Sequence, residues 1–280
     1  APVWLFKVLE LLVLTLHFCA VHLLLGGMAI TTIWALAAVL RKDAVLIDAR
    51  GAVTTRLPIV IAFLVNLGIP PLLFTQVLYG RALYTSSVLI GAFWIAVVFI
   101  LMFAYHLLYR IARTPSATGL GLWLGIVAYT AFIMIAFLFS SNMTLMLRPE
   151  VWLEMYRANP RGTHLPTGDP TLYARWLYMV VGSIGVGGIG LALLGMKRSL
   201  APEVCTFLQR WGGRLAAVFA LVQAGLGYWV FSMQSELVRT GLMNSTVYKA
   251  VLVAWAATLL LVVLIGAATS FGKSPMLALP

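Results

Sequence analysis

Charge is scarce in this chain of 280 residues: only 10% of positions are Asp, Glu, Lys or Arg, against roughly a quarter in an ordinary soluble domain. That deficit excludes a soluble enzyme and a disordered protein. Acid is scarcer still, with 8 Asp+Glu against 19 Lys+Arg. Cysteine is limited to Cys19 and Cys205, which excludes a disulfide-stapled scaffold and any cysteine-built iron–sulfur or zinc cluster. No C-x-x-C-H segment occurs, so the chain has no means of holding c-type haem covalently. The opening residues lack a basic stretch followed by a small-residue cleavage site, and no removable signal peptide is expected. Long linkers, low-complexity tracts and internal repeats are missing as well.

What the chain has in abundance is apolar sequence: 62% of its residues are hydrophobic and the mean hydropathy is +1.01. The apolar residues fall in runs of about 20 or more, the length that crosses a ~30 Å hydrocarbon core as helix. Polar and apolar positions do not alternate as they would in outer-membrane barrel strands. The fold class expected is all-α, a polytopic transmembrane helical bundle of about seven spans: 11–40, 57–79, 84–109, 118–147, 172–196, 214–234 and 247–270. Trp4, Leu5, Lys7 and Glu10 precede the first run and suit a short interfacial helix. Short polar links join most spans; the connection 148–171 is longer, with both charge signs and four prolines. Residues 1–280 read as a single integral membrane domain.

The basic residues lie between or at the ends of apolar runs, so they report topology before they report nucleic acid. One side gathers Arg41, Lys42, Arg50, Arg56, Arg110, Arg113, Lys197, Arg198, Arg210, Arg214 and Lys273, eleven in all; the other has eight. The positive-inside rule then puts the N-terminus outside and the C-terminus in the cytoplasm of a bacterial inner membrane, with 148–171 and the VI–VII connection on the outer face.

Ionisable groups inside a bilayer are costly and are functional suspects for that reason. The first span carries His17 and His22, five residues apart and so about 140° apart around a helix. They cannot share one metal from that helix, but either suits a haem iron as axial ligand; the alternative is an imidazole packed against a neighbouring helix. His106 beside Tyr105 and Tyr109 reads as interfacial-belt composition, and His164 as solvated. Pro70 and Pro71 interrupt a span that also carries Asn66 and Gln76, and free backbone carbonyls there. GSIGVGGIG at 182–190 is no dinucleotide fingerprint, since no soluble strand precedes it; small residues at helical spacing let helices approach closely. Around the VI–VII connection, Glu236, Arg239 and Lys249 gather beside Trp229 and Tyr248. A carboxylate there can accept a quinol proton, and a cation beside an aromatic can hold a quinone head group; the plain alternative is a solvated loop with snorkelling ends.

The run from His17 to Ala29, HFCAVHLLLGGMA, resembles the first helix of subunit I of cytochrome bd quinol oxidases, whose pattern is H-F-x-x-V-P-L-x-L-G. Asn66-Leu67-Gly68 is similar to the N-x-G turn of that family's second helix, and Ser141-Asn142-Met143 with Pro149 to its S-N-x and later proline. Lys249 and Trp255 sit where the oxidase's quinol loop re-enters the membrane. The resemblance spans most of the chain and implies that His17 ligates a b-type haem. Departures bear on the chemistry. The run 86–106 has no acid where the oxidase's third helix carries glutamates for the oxygen site, 174–182 has no His for a low-spin haem, and the quinol loop is short. Oxygen reduction is therefore not expected.

The resemblance implies a membrane subunit of a respiratory electron-transfer complex. It would exchange electrons between the quinone pool and a periplasmic multihaem cytochrome c, alongside other membrane subunits. Its cofactors would be one haem b on His17 and a quinone or quinol near Glu236, Arg239 and Lys249, with 148–171 as the docking surface. Two alternatives stay open: a redox-silent anchor or assembly subunit, and a transporter or channel lined by His22, Asn66, Gln76 and Gln223. No acid deep in a span is expected to couple transport to ions.

Overall fold

A computed structural model describes residues 2–115 and 117–272. Seven of its helices are long and apolar enough to cross a membrane, so the chain is an all-α, multi-pass membrane protein. In lipid every backbone polar group must be paired within the protein, which leaves the helix as the form such runs adopt.

The first helix, α1 (Val3–Arg41), is 39 residues long, about 58 Å at the helical rise. It starts right after Pro2, so Trp4, Lys7 and Glu10 belong to the spanning helix itself and form no separate interfacial one. Lys42 turns the chain with a left-handed backbone (φ 52°, ψ 32°), and Asp43 caps α2 (Ala44–Thr54) by accepting from the Leu46 N–H at 3.2 Å. The segment 41–56, read as a polar link, is thus mostly helix. It folds back along α1 and leads into α3 (Leu57–Leu89), whose backbone departs from helix at Tyr79. Arg50 is 1% exposed: its Nε donates to the Thr31 carbonyl at 3.0 Å and Nη2 to that of Gly121 at 3.3 Å. That one guanidinium ties α2 to α1 and to α5.

The chain continues through α4 (Gly91–Arg113) and α5 (Gly119–Met146), a 3-10 turn at Pro149–Val151, and α6 (Trp152–Ala158). Then come α7 (Pro170–Leu194), α8 (Pro202–Ser232), α9 (Glu236–Asn244) and α10 (Thr246–Ser270). The sixth span therefore begins at Pro202 and not near 214. Thr118, Asp169, Ser235 and Ser245 cap α5, α7, α9 and α10 with their side chains, closing backbone donors that helix starts leave open. Pro170 and Pro202 stand at first helical positions, where a missing N–H costs nothing.

The core follows from where the chain has no side chains. Helix α1 packs against α3, α5 and α7, then α7 against α8 and α8 against α10. Glycines bring the backbones of these last pairs nearly into contact. A methyl on Gly26 would lie 1.9 Å from the Ser183 carbonyl oxygen, one on Gly212 2.5 Å from the Ala192 nitrogen, and one on Gly213 2.5 Å from the Gly266 carbonyl. The glycine run at 182–190 is the middle of this relay, as close helix packing requires.

The connection 148–171 is folded onto the bundle. Trp152 and Met155 cover Leu89, Ile90 and Leu145, and the Trp152 Nε1–H donates to the Leu145 carbonyl at 2.8 Å. Gly162, at φ +65°, lies against the start of α4, where its carbonyl accepts from the Ala92 N–H at 3.1 Å. These contacts gather residues 88–92 and 147–169 at one end of the bundle, where Arg175 of α7 also meets Gln234 at 3.2 Å; it is called here the N-side because α1 starts there. The hairpin turn at Lys42–Asp43, the end of α4 at Arg113, the start of α5 at Gly119 and the connection 195–201 form the opposite, C-side end. Lys273, counted toward that end, lies outside the described residues.

Candidate functional site

Two places combine polar groups with apolar walls. The first is the seam between α1 and α3. His17 lies on the α1 face turned to α3, and its Nδ1 is 3.1 Å from the Leu64 carbonyl oxygen. A carbonyl only accepts, so Nδ1 carries the hydrogen and the lone pair of the neutral ring sits on Nε2. Gly68 makes the space: a methyl there would be 2.9 Å from His17 Cε1. The N-L-G turn at 66–68 thus serves the imidazole next to it. An N–H held by a backbone carbonyl is the arrangement that orients an imidazole for metal ligation through its other nitrogen. On those terms the atom that His17 would offer a haem iron is Nε2. His22 differs. Its Nδ1 donates to the Phe18 carbonyl of its own helix at 2.7 Å, so no other element positions the ring through that nitrogen, and the two imidazoles do not converge. Among the described residues no three His, Cys, Asp or Glu side chains cluster as a metal site would require.

Two turns before His17 on the same face of α1 lies Glu10, 8% exposed, whose Oε1 accepts from the Thr75 hydroxyl at 2.9 Å. An acid was not expected inside the helix bundle. Glu10 is buried because α3, some 65 positions away in sequence, passes over it just beyond Pro70–Pro71. Three of the other polar groups of a transport path are engaged within their own helices or in a different seam. Asn66 is exposed and bonds back to Ala62 of its own helix, His22 does likewise, and Gln223 donates to the Tyr178 carbonyl in the α7–α8 seam at 3.0 Å.

The second place is a chamber of about 1140 Å³ at the N-side end, walled by α5, α7, α8, α9 and α10. Its walls are mostly apolar and aromatic, with Val230, Phe231, Leu237, Val251, Leu252 and Trp255 among them. A polar corner is built by the ends of α5 and α7. Arg148 reaches Glu150 at 2.6 Å and Asp169 at 3.0 Å. Asp169 in turn accepts from the N–H and hydroxyl of Thr171, at 2.8 and 2.7 Å. The Glu150 carboxyl is held below the usual carboxylate range by its own backbone N–H and by Arg148. Arg175 donates from Nη2 to Gln234 Oε1 at 3.2 Å. Its Nε, however, and the hydroxyl of Thr144, which is 1% exposed, are buried and have no hydrogen-bond partner.

Compared with models of known protein families and with curated proteins, the chain matches none.

The three residues expected at a quinone sit around this chamber and do not point the chemistry as a group. Glu236 opens α9 and Lys249 lies in the first turn of α10, both exposed, while Arg239 is half-buried on α9. The chamber takes their neighbours instead: Leu237, Val238 and Tyr248 line it. Tyr248 stacks on Phe231 with ring centroids 6.4 Å apart. Thr144, Arg148 and Arg175 were not singled out in the sequence. The only signal there was position, each standing within a few residues of an apolar run's N-side end.

Proposed function

We propose that this chain is the membrane subunit of an electron-transfer complex of the cytochrome bd subunit I type, without the oxygen-reducing centre. It exchanges electrons between the quinone pool and a periplasmic cytochrome carrying several c-type haems. The observation that supports this reading is His17: Nδ1–H on the Leu64 carbonyl, Nε2 left as a ligand, and Gly68 beneath the ring. A bound haem b supplies one-electron redox chemistry at that helix seam; the chain's part is to hold the ring in one tautomer and orientation. Glu236, Arg239 and Lys249 line the approach from the N-side interface, where an exposed carboxylate can pass a quinol proton to water.

The N-side end is placed in the periplasm in this reading. Among the described residues the C-side end carries ten Lys and Arg against Asp43, Asp48 and Glu203, and the N-side end eight against five acids, which favours a cytoplasmic C-side. The partner docks on 148–171. Leu153 and Tyr156 are 60% and 52% exposed there, while Trp152 and Met155 face inward and hold the segment down. Leu153→Ser combined with Tyr156→Ser is expected to release the cytochrome without lowering the melting temperature; undiminished co-purification would put docking elsewhere.

The deciding test is a reduced-minus-oxidised spectrum of the mildly solubilised native complex, with pyridine haemochrome quantitation. One haem b per copy of this chain supports the redox reading. Haem c alone would make the chain an anchor and its histidines packing residues, consistent with both imidazoles already bonded to carbonyls. Lys249→Ala is expected to slow quinol-dependent cytochrome reduction severalfold, and wild-type kinetics would remove Lys249 from the quinone's approach.

A further inference from the structure

We infer that the groove between α3 and α4 binds an anionic diacyl phospholipid, its phosphate held by Arg110 and Arg113 at the C-side end. The groove has a volume of about 490 Å³, within the ~300–1,000 Å³ of ordinary ligand pockets. It shares no lining residue with the His17 seam or the N-side chamber. Val65 of α3 with Leu101 and Met102 of α4 wall the part nearer the bilayer centre, and Tyr105, His106 and Tyr109 wall the part nearer the end of α4. Met102 is 65% exposed, so the groove opens sideways to lipid.

The order of chemistry along this wall is the order along a phospholipid. At 3.6 residues per turn, Met102, Tyr105, His106, Tyr109 and Arg113 fall within about 100° of one another around α4. Apolar residues come first and suit an acyl chain. The phenols of Tyr105 and Tyr109 follow, their rings stacked 5.4 Å apart, with the imidazole of His106 beside them; O–H and N–H groups there can donate to ester carbonyls. Arg113 stands one turn beyond Tyr109, and Arg110 flanks it. Guanidinium is the side chain that matches phosphate in charge and geometry. The charge also selects the headgroup. Both ion pairs formed among the described residues belong to Arg148, so Arg110 and Arg113 are matched by no carboxylate there. Helices α3, α4 and α5 contain no acid at all, and Asp48 of α2 is exposed. A zwitterionic lipid would bring a second cation to a site with no acid to receive it, whereas an anionic lipid supplies the missing charge. Basic pockets between spanning helices at the cytoplasmic surface take anionic lipids in this way.

The full chain, purified in mild detergent, is titrated with phosphatidylglycerol or with phosphatidylcholine of the same acyl chains, and bound lipid is read by native mass spectrometry. One phosphatidylglycerol per chain, held in preference to phosphatidylcholine, is the expected result. Arg110→Gln combined with Arg113→Gln should weaken that binding about 30-fold, roughly fivefold for each charge at a membrane surface, and abolish the preference. Met102→Trp puts a ring into the groove and should lower retention of both lipids. All three side chains are exposed, so melting temperatures should hold. Arg41→Gln removes another exposed C-side charge, on α1, and should leave retention unchanged. Phosphatidylglycerol held as tightly by the double variant would overturn the assignment. Equal weakening in Arg41→Gln would do so too, by reducing the effect to diffuse surface charge. So would a dimer of the chain that excludes lipid and is lost in Met102→Trp, since a second copy would then occupy the groove.

Discussion

His17→Ala should abolish b-haem absorbance entirely while leaving the helix bundle intact. The loss is all-or-none because His17 is the one imidazole among the described residues that a second helix both pins and makes room for, through Leu64 and Gly68. His22→Ala is the control. Its ring is bonded within its own helix turn, so removing it should leave the spectrum unchanged. Gly68→Ala tests the same seam from the other side. The added methyl would come within 2.9 Å of the ring, so the imidazole must shift; if His17 ligates a haem b as proposed, that shift should move the midpoint potential and Soret band before haem is lost. Haem retained in His17→Ala would refute the ligand assignment.

Gly26→Val should prevent α1 and α7 from docking. The obstacle is the Ser183 carbonyl at 1.9 Å, part of the backbone, so no rotamer change relieves it. Overpacked cores that can still adjust lose about 1–3 kcal/mol; here two helices must separate, and the loss should exceed that range. Thermal unfolding in mild detergent measures it. Gly225→Ala in α8 meets nothing within 4 Å and should hold or raise the melting point, since Ala favours helix over Gly by about 1 kcal/mol. Equal behaviour of the two variants would mean that the glycine relay does not hold the bundle together.

The seven spans were legible because the bilayer dictates their length and composition. Their ends were less so. Helix α8 begins at Pro202, ahead of its most apolar stretch, because hydrogen bonding along a helix does not stop where hydrophobicity does. Segment 44–54 reads as polar because of Asp48 and Arg50. Only the bundle shows Arg50 buried on the carbonyls of Thr31 and Gly121, which lie in other helices. Glu10 was hidden for the same reason, its burial being conferred by Thr75. The candidate haem ligand could be named from one contiguous run, whereas the chamber joins residues of α5, α7, α8, α9 and α10 that share no motif. The glycine run at 182–190 could be read correctly because small residues at helical spacing have one common use in a membrane.

That glycine relay has a consequence for how the protein is made. The carbonyl that fits against Gly26 belongs to Ser183, which leaves a ribosome working at about 5–20 residues per second roughly 10–30 s after Gly26 does. The hairpin of α1 with α2 and α3 can zip up at once, since its halves adjoin across the turn at Lys42. The notched flank of α1 must meanwhile sit in lipid or under an insertion chaperone. Chains that stop short of α7 would keep that flank uncovered, a mark by which a membrane quality-control protease can tell an unfinished copy from a finished one.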